Sequence, residues 1–329
     1  MDTPAEDAST SGLDSRITLR FLSLPHDSAP GGRTVAGGSV MEWIDQAGYA
    51  CAVGWSGAYC VTAYVGNVRH ARPIAPGSLV AVHARIIHTG RSSMHVAVTV
   101  ESADVAERVY SPNTTCVLVF VAVGEDRTPV PVPQWRPSSA SDHALAEAAV
   151  SRIPARDAIK RAMLGQEYTD ASAAPRSRLR FLVPPSSVNF GGAAHGGTVM
   201  RWIDEAGYAC AAAWSSDQAV AVYSGGIHFL APVRIGNVVE LDARLIYTGP
   251  HSMHVSVRVL TADPRTPEAR TLTTQCLLIF VDAGPDGARE VRRWEPSLPE
   301  DVRLTQHAVD LVHQRGEIAV LAPEVLLAQ

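Results

Sequence analysis

Met41–Trp55 reads MEWIDQAGYACAVGW, and Met200–Trp214 reads MRWIDEAGYACAAAW. Eleven of these fifteen positions are identical, at an offset of 159 residues. The same offset pairs Thr89–Val100 (TGRSSMHVAVTV) with Thr248–Val259 (TGPHSMHVSVRV), where eight of twelve residues match. It also pairs Pro73 and Gly77 with Pro232 and Gly236, and Trp135 with Trp294. Arg20-Phe21-Leu22 matches Arg180-Phe181-Leu182 at an offset of 160, so one residue has been gained or lost between Gly31 and Ala36. Solenoid repeats run about 20–50 residues. A unit three times longer can bury its own core. Two such copies are expected to pack as a pseudo-symmetric dimer within one chain.

Each copy carries the same order of signals. A short strand (17–22; 179–183) leads into a Gly-rich loop. A helix is predicted over about 39–53 and 198–213, because Val40, Ile44, Ala47 and Cys51, and Val199, Ile203, Ala206 and Cys210, recur at helical spacing. Four runs rich in Val, Ile and Thr follow (about 60–70, 78–89, 93–103, 112–123; 219–229, 237–248, 252–262, 271–282), with Gly and Pro turns between them. One apolar helix followed by an antiparallel sheet is an α+β layout, and a helix apolar on most faces needs a curved sheet around it. The expected division is a polar tail over 1–15, a first domain over 16–137, a helical linker over 138–175, a second domain over 176–296 and a C-terminal helix over 297–329. The linker helix (141–164) and the terminal one (299–327) are expected to cover sheet edges.

Composition narrows the function classes. The 329 residues carry a net charge of -5, which lacks the basic footprint of a nucleic-acid binder. The stretch from Ala47 to Val68 has no charge, but its Gly, Ser, Thr and Asn mark it as core rather than a membrane span. The first residues, MDTPAEDASTSGLDS, have neither the cationic nor the apolar region of a secretory signal. Cys51, Cys60, Cys116, Cys210 and Cys276 show no CxxC spacing, so free buried thiols and a cytoplasmic setting are expected.

Copy two contains Asn189-Phe190-Gly191-Gly192-Ala193-Ala194-His195-Gly196-Gly197, then Met200-Arg201-Trp202-Ile203-Asp204-Glu205-Ala206. With Pro232, Gly236 and Thr248–Met253, this ordered set resembles the acyl-CoA hydrolases (acyl-CoA thioesterases) built from tandem hotdog domains. The resemblance implies a double hotdog that hydrolyses acyl-CoA in lipid metabolism, needs no cofactor or metal, and assembles further as a homotrimer of double hotdogs. It also implies that the Asn of one domain works with the acid on the helix of the other, which here makes Asn189 and Asp45 the catalytic pair. Copy one departs from the pattern. Ala36 stands where copy two has His195, and Ala29 or Pro30 stands where it has Asn189. The cleft containing Asp204 is therefore expected to be vestigial.

The residues also admit plainer readings. A carboxylate can act as base or nucleophile; the plainer reading of Asp45 and Asp204 is an Asp on a solvated face or one bonded within the seam between the copies. Asn189 could simply make a turn beside Gly. Gly196 and Gly197 at a helix start suit an oxyanion hole, with His195 either positioning substrate or serving the loop. His95 and His254 alternate with Val on a strand and read as outward or interface residues. Arg69, Arg72 and Arg91 are candidate CoA phosphate contacts or surface charges. Gly-x-Ser-x-Gly, P-loop and His-Glu-x-x-His patterns are absent. Two rival functions stay open: a non-catalytic acyl-CoA binding or sensing protein, and a hotdog hydratase or dehydratase, which would need a His paired with an acid.

Overall fold

The computed structural model describes residues 14–318 and 321–327. All but the last two residues of the expected N-terminal tail lie outside the described residues. In copy one, β1 (Arg16–Leu22) leads to α1 (Gly37–Ser56), then β2 (Cys60–Val65), β3 (Val68–Arg69), β4 (Leu79–Thr89), β5 (Ser93–Ala103) and β6 (Ser111–Ala122). The linker holds α2 (Ala140–Ser151) and α3 (Ile153–Leu164). Copy two repeats the pattern: β7 (Arg176–Leu182), α4 (Gly196–Trp214), β8 (Ala219–Phe229), β9 (Val238–Thr248), β10 (Met253–Ala262), β11 (Thr271–Gly284) and the short β12 (Gly287–Ala288). The chain continues through α5 (Pro299–Gly316) and α6 (Pro323–Leu327).

The two halves have one topology. Strand order is β1-β4-β5-β6-β2 in the first and β7-β9-β10-β11-β8 in the second. All of these pairs are antiparallel, and β2 joins β8 through Tyr64 opposite His228 and Val65 opposite Ile227. The result is one continuous sheet around two central helices, the double hotdog. Those helices run antiparallel: Gly38 lies against Arg201 and Asp204, and Gly197 against Glu42 and Asp45.

Both central helices are buried on two sides, against the sheet and against each other, which is why they are apolar nearly all round. Met41, Ile44, Ala47, Met200, Ile203 and Ala206 are all 0% exposed. Gly48 and Gly207 let a sheet ring come down onto helix backbone. A Cβ on Gly48 would stand 2.8 Å from Phe120, and one on Gly207 would stand 2.4 Å from Leu278 and 3.0 Å from Phe280. Alanine in a helix is worth about 1 kcal/mol over glycine, but overpacking a filled core costs about 1–3 kcal/mol. Gly48→Ala and Gly207→Ala are therefore expected to lower the urea midpoint. A raised midpoint would show that the core has slack the structure does not contain.

The linker and terminal helices differ from expectation in two ways. The single linker helix is two, broken at Arg152, because Pro154 in the first turn of α3 has no N–H to continue α2. The terminal helix likewise divides into α5 and α6. These helices also lie on the sheet's outer face rather than along its edges. Leu145 and Ala149 pack on Ile87 and Ala97, while Ile159, Met163, Leu304, Ala308 and Leu311 pack with Ile246 and Leu277. The amphipathic pattern marks an apolar face without saying which surface receives it. The five cysteines are free and buried, and burial pushes the Cys51 and Cys210 thiols up to about 12. No helix among the described residues is long and apolar enough to cross a membrane.

Candidate active site

Two clefts open at the seam, each where the N-terminus of one central helix meets the Asp of the other. Asp45 and Asn189 line the first, a cavity of about 730 Å³, together with Tyr49, Thr62, Phe190, His195 and Gly196. Asp45 is 3% exposed, and both its oxygens are engaged. Thr62 Oγ1 donates to Oδ1 at 2.7 Å, and the Gly197 N–H donates to Oδ2 at 2.7 Å. Burial pushes the Asp45 carboxyl above the usual carboxylate range. The Thr62 and Gly197 hydrogen bonds, and the nearby His195, pull it partly back.

The N–H groups of the two glycines differ in what they bond. The Gly197 N–H is spent on Asp45. The Gly196 N–H, at the first position of α4, donates no hydrogen bond among the described residues. Both positions must be glycine for the helices to meet this closely. A Cβ on Gly196 would stand 2.8 Å from Thr62 Oγ1 and 2.9 Å from Asp45 Oδ1, and one on Gly197 would stand 3.0 Å from the Glu42 backbone.

Asn189 makes the turn that its plain reading describes. Its Oδ1 accepts from Gly191 N at 2.9 Å and Ala193 N at 3.1 Å. Its Nδ2 has a single long bond, 3.4 Å to the Ala194 carbonyl, and an amide nitrogen carries two hydrogens. The amide is thus oriented by the loop and has a donor left over. His195 caps α4 with no side-chain bond to the helix, and its ring meets Tyr49 edge-on at 5.9 Å. Phe190 is 89% exposed beside the cleft.

The second cleft, about 640 Å³, is built on Asp204. The Gly38 N–H donates to Asp204 Oδ2 at 2.8 Å, the counterpart of the Gly197 bond. The loop pairings resolve the alignment. Gly32 N bonds Ala29 O as Gly192 N bonds Asn189 O, so Ala29 is the counterpart of Asn189 and the extra residue falls at Arg33-Thr34. Ala221 stands where the first cleft has Thr62. Asp204 Oδ1 is consequently buried without a partner, and burial raises this carboxyl to about 6. His70 also enters the cleft. Its Nε2 lies 3.5 Å from the point where a Cβ on Gly37 would stand, and Asp204 Oδ1 lies 3.1 Å from that same point. The sequence offers no hint of this neighbour.

Other residues fall elsewhere. His95 and His254 are on the outer side of the sheet but are buried beneath helices rather than facing solvent. Their rings contact His88 and Tyr247, and burial lowers them to about 3 and about 4. Arg72 lines the second cleft, and Arg69 lines a separate cavity of about 350 Å³ under the outer helices. The first cleft has Arg127 instead, which donates to the Gly191 carbonyl at 3.3 Å.

A sequence profile of the thioesterase superfamily matches residues 32–108 and 191–268, stretches that contain Asp45, Thr62, Gly196 and Asp204 but not Asn189. The acyl-CoA thioester hydrolase YciA of Salmonella typhimurium is 32% identical over 111 residues, 33% of this chain and 84% of that protein. The chain belongs to the thioesterase superfamily. A longer relative within the superfamily's range is the human cytosolic acyl coenzyme A thioester hydrolase, 25% identical over 264 residues, 75% of this chain and 68% of that one. A solved structure provisionally assigned as an oleoyl thioesterase from Lactobacillus plantarum superimposes with a TM-score of 0.57. It covers 82% of this chain and 96% of its own at 10% identity, a likeness of fold alone.

Proposed function

We propose that this thioesterase-superfamily chain is an acyl-CoA thioesterase that releases a carboxylic acid and CoA at the first cleft alone. The observation that carries the reading is Asp45 itself: a buried carboxylate anchored at both oxygens, on a cavity it shares with Asn189. In this reading the thioester carbonyl oxygen accepts from the Gly196 N–H and the spare Asn189 N–H, where negative charge develops during attack. Asp45 takes a proton from the attacking water and returns it to the departing CoA sulfur. Alternatively, its oxygen attacks the carbonyl carbon and expels CoA as the thiolate, which is protonated, leaving a mixed anhydride that water opens to the acid and free Asp45. The cytosolic relative supports a cytoplasmic setting, and further assembly into a trimer of double hotdogs belongs to the same proposal.

The test is release of free thiol from a panel running from acetyl-CoA to palmitoyl-CoA, with aromatic thioesters included. No release from any member would favour a binding or sensing role. Phe190, an exposed ring at the cleft, fits a flat group of the substrate outside the reacting centre. Phe190→Ala is expected to raise KM about 3–10-fold with kcat nearly unchanged, the pattern of lost uniform binding. A fall in kcat at constant KM would place Phe190 at the reacting centre instead.

A further inference from the structure

The second cleft has lost the groups that the proposed hydrolysis uses, yet it has not closed. Its cavity of about 640 Å³ is close to the 730 Å³ of the first. Ala29, Ala36 and Ala221 replace Asn189, His195 and Thr62. Asp204 remains, 7% exposed and still bonded to the Gly38 N–H. What the Thr62-to-Ala221 difference removes is a hydroxyl, and it removes it from beside a buried carboxylate oxygen. Asp204 Oδ1 has no partner as a result. A buried acceptor left unpaired costs free energy, so this site favours an occupant that brings a donor to that point.

The surroundings restrict the occupant further. His70 Nε2 sits at the same corner as Asp204 Oδ1, where the first cleft has Phe229. Its nearest polar contact is a long one, 3.4 Å to Ser224 Oγ. Burial lowers His70 to about 4, so it is a neutral ring able to take or give one hydrogen bond. A hydroxyl donating to Asp204 can accept from His70 in the same position. Arg72 lines this cleft, makes no ion pair among the described residues, and has Ala231 as its counterpart at the first cleft. An unpaired guanidinium there suits a phosphate-bearing ligand.

We propose that the second cleft is a binding site for CoA thioesters whose acyl chain carries a hydroxyl group, held there without hydrolysis. The ligand hydroxyl fills the place of the missing threonine hydroxyl and pairs with Asp204 Oδ1, while the phosphate-bearing portion lies toward Arg72. The CoA part of this assignment rests on the function proposed above; the hydroxyl part rests on the second cleft alone.

The experiment is calorimetric titration of the full chain carrying Asp45→Asn, which blocks turnover, with butyryl-CoA and with β-hydroxybutyryl-CoA. Butyryl-CoA is expected to bind once per chain and the hydroxy compound twice. Ala221→Thr or Ala221→Ser restores the protein's own hydroxyl and should weaken the second event at least tenfold, leaving the first unchanged. The Ser variant adds a single oxygen, so it covers the case in which Thr perturbs folding. One event with both ligands, or a second event that survives both substitutions, would overturn the proposal. Loss of water from the hydroxy compound to give an enoyl thioester would overturn it too, since the site would then be catalytic. If butyryl-CoA binds nowhere, the acyl-CoA reading itself has failed, a result distinct from either of these.

Discussion

Asp45→Ala should lower kcat by about 10²–10⁴-fold, the range a positioned general base supplies. Asn189→Ala should fall in the same range, because it removes a donor aimed at the developing oxyanion and also releases the loop that Oδ1 holds through Gly191 and Ala193. The double variant should be little worse than the worse single one, since groups acting as a unit are not additive. Asp204→Ala is the control that makes the prediction sharp. Asp204 occupies the equivalent place on the other helix and makes the equivalent backbone bond to Gly38. If both clefts worked, its loss would remove about half the turnover; if only the first works, most activity should remain in folded protein. An enzyme killed by Asp204→Ala and spared by Asp45→Ala would reverse the assignment of the two clefts.

The second large effect concerns Thr62 and pH. A base acts only when ionised, so activity must fall as pH drops through the carboxyl's folded-state pKa. Burial raises that value for Asp45, and the Thr62 hydroxyl, which bonds the ionised form, lowers it. Thr62→Ala removes the lowering contribution, so the acidic limb of kcat should move to higher pH. The protein contains its own guide to the destination: Asp204, with Ala221 beside it, titrates at about 6. Loss of a hydrogen bond to a charged group should also cost about 10–100-fold in rate. Thr62→Ser should restore both the limb and most of the rate. A Thr62→Ala profile with an unmoved acidic limb would show that Thr62 does not set the ionisation of Asp45.

The parts of this site that sequence reveals are those the repeat states twice. The matched WID segments place both aspartates on the central helices, and the two Gly-Gly pairs mark where those helices begin. Thr62 is illegible for a physical reason: a threonine in the strand CVTAY is ordinary β-sheet chemistry. Its only signal is that the repeat partner is Ala221. Arg127 and His70 are likewise silent, because each reaches its cleft from a loop or strand end whose course depends on how the two halves dock. The extra residue at Arg33-Thr34 could be bracketed but not located until the loop hydrogen bonds separated Ala29 from Pro30. The outer helices show the same limit, since an apolar stripe finds a surface that only the assembled sheet provides.

The linker through α2 and α3 makes the two hotdogs one covalent molecule, and this changes what selection can do with them. In a dimer of identical chains every substitution is inherited by both interfacial clefts, so a change that retires one site retires the other. Here the loop of each half serves only one cleft, as does each aspartate. Ala29 and Ala221 could therefore accumulate at one end of the helix pair while Asn189 and Thr62 were kept at the other. Fusion thus turns a symmetric pair of sites into two separately heritable ones, and a later substitution at either end can change one cleft's chemistry while the shared core stays as it is.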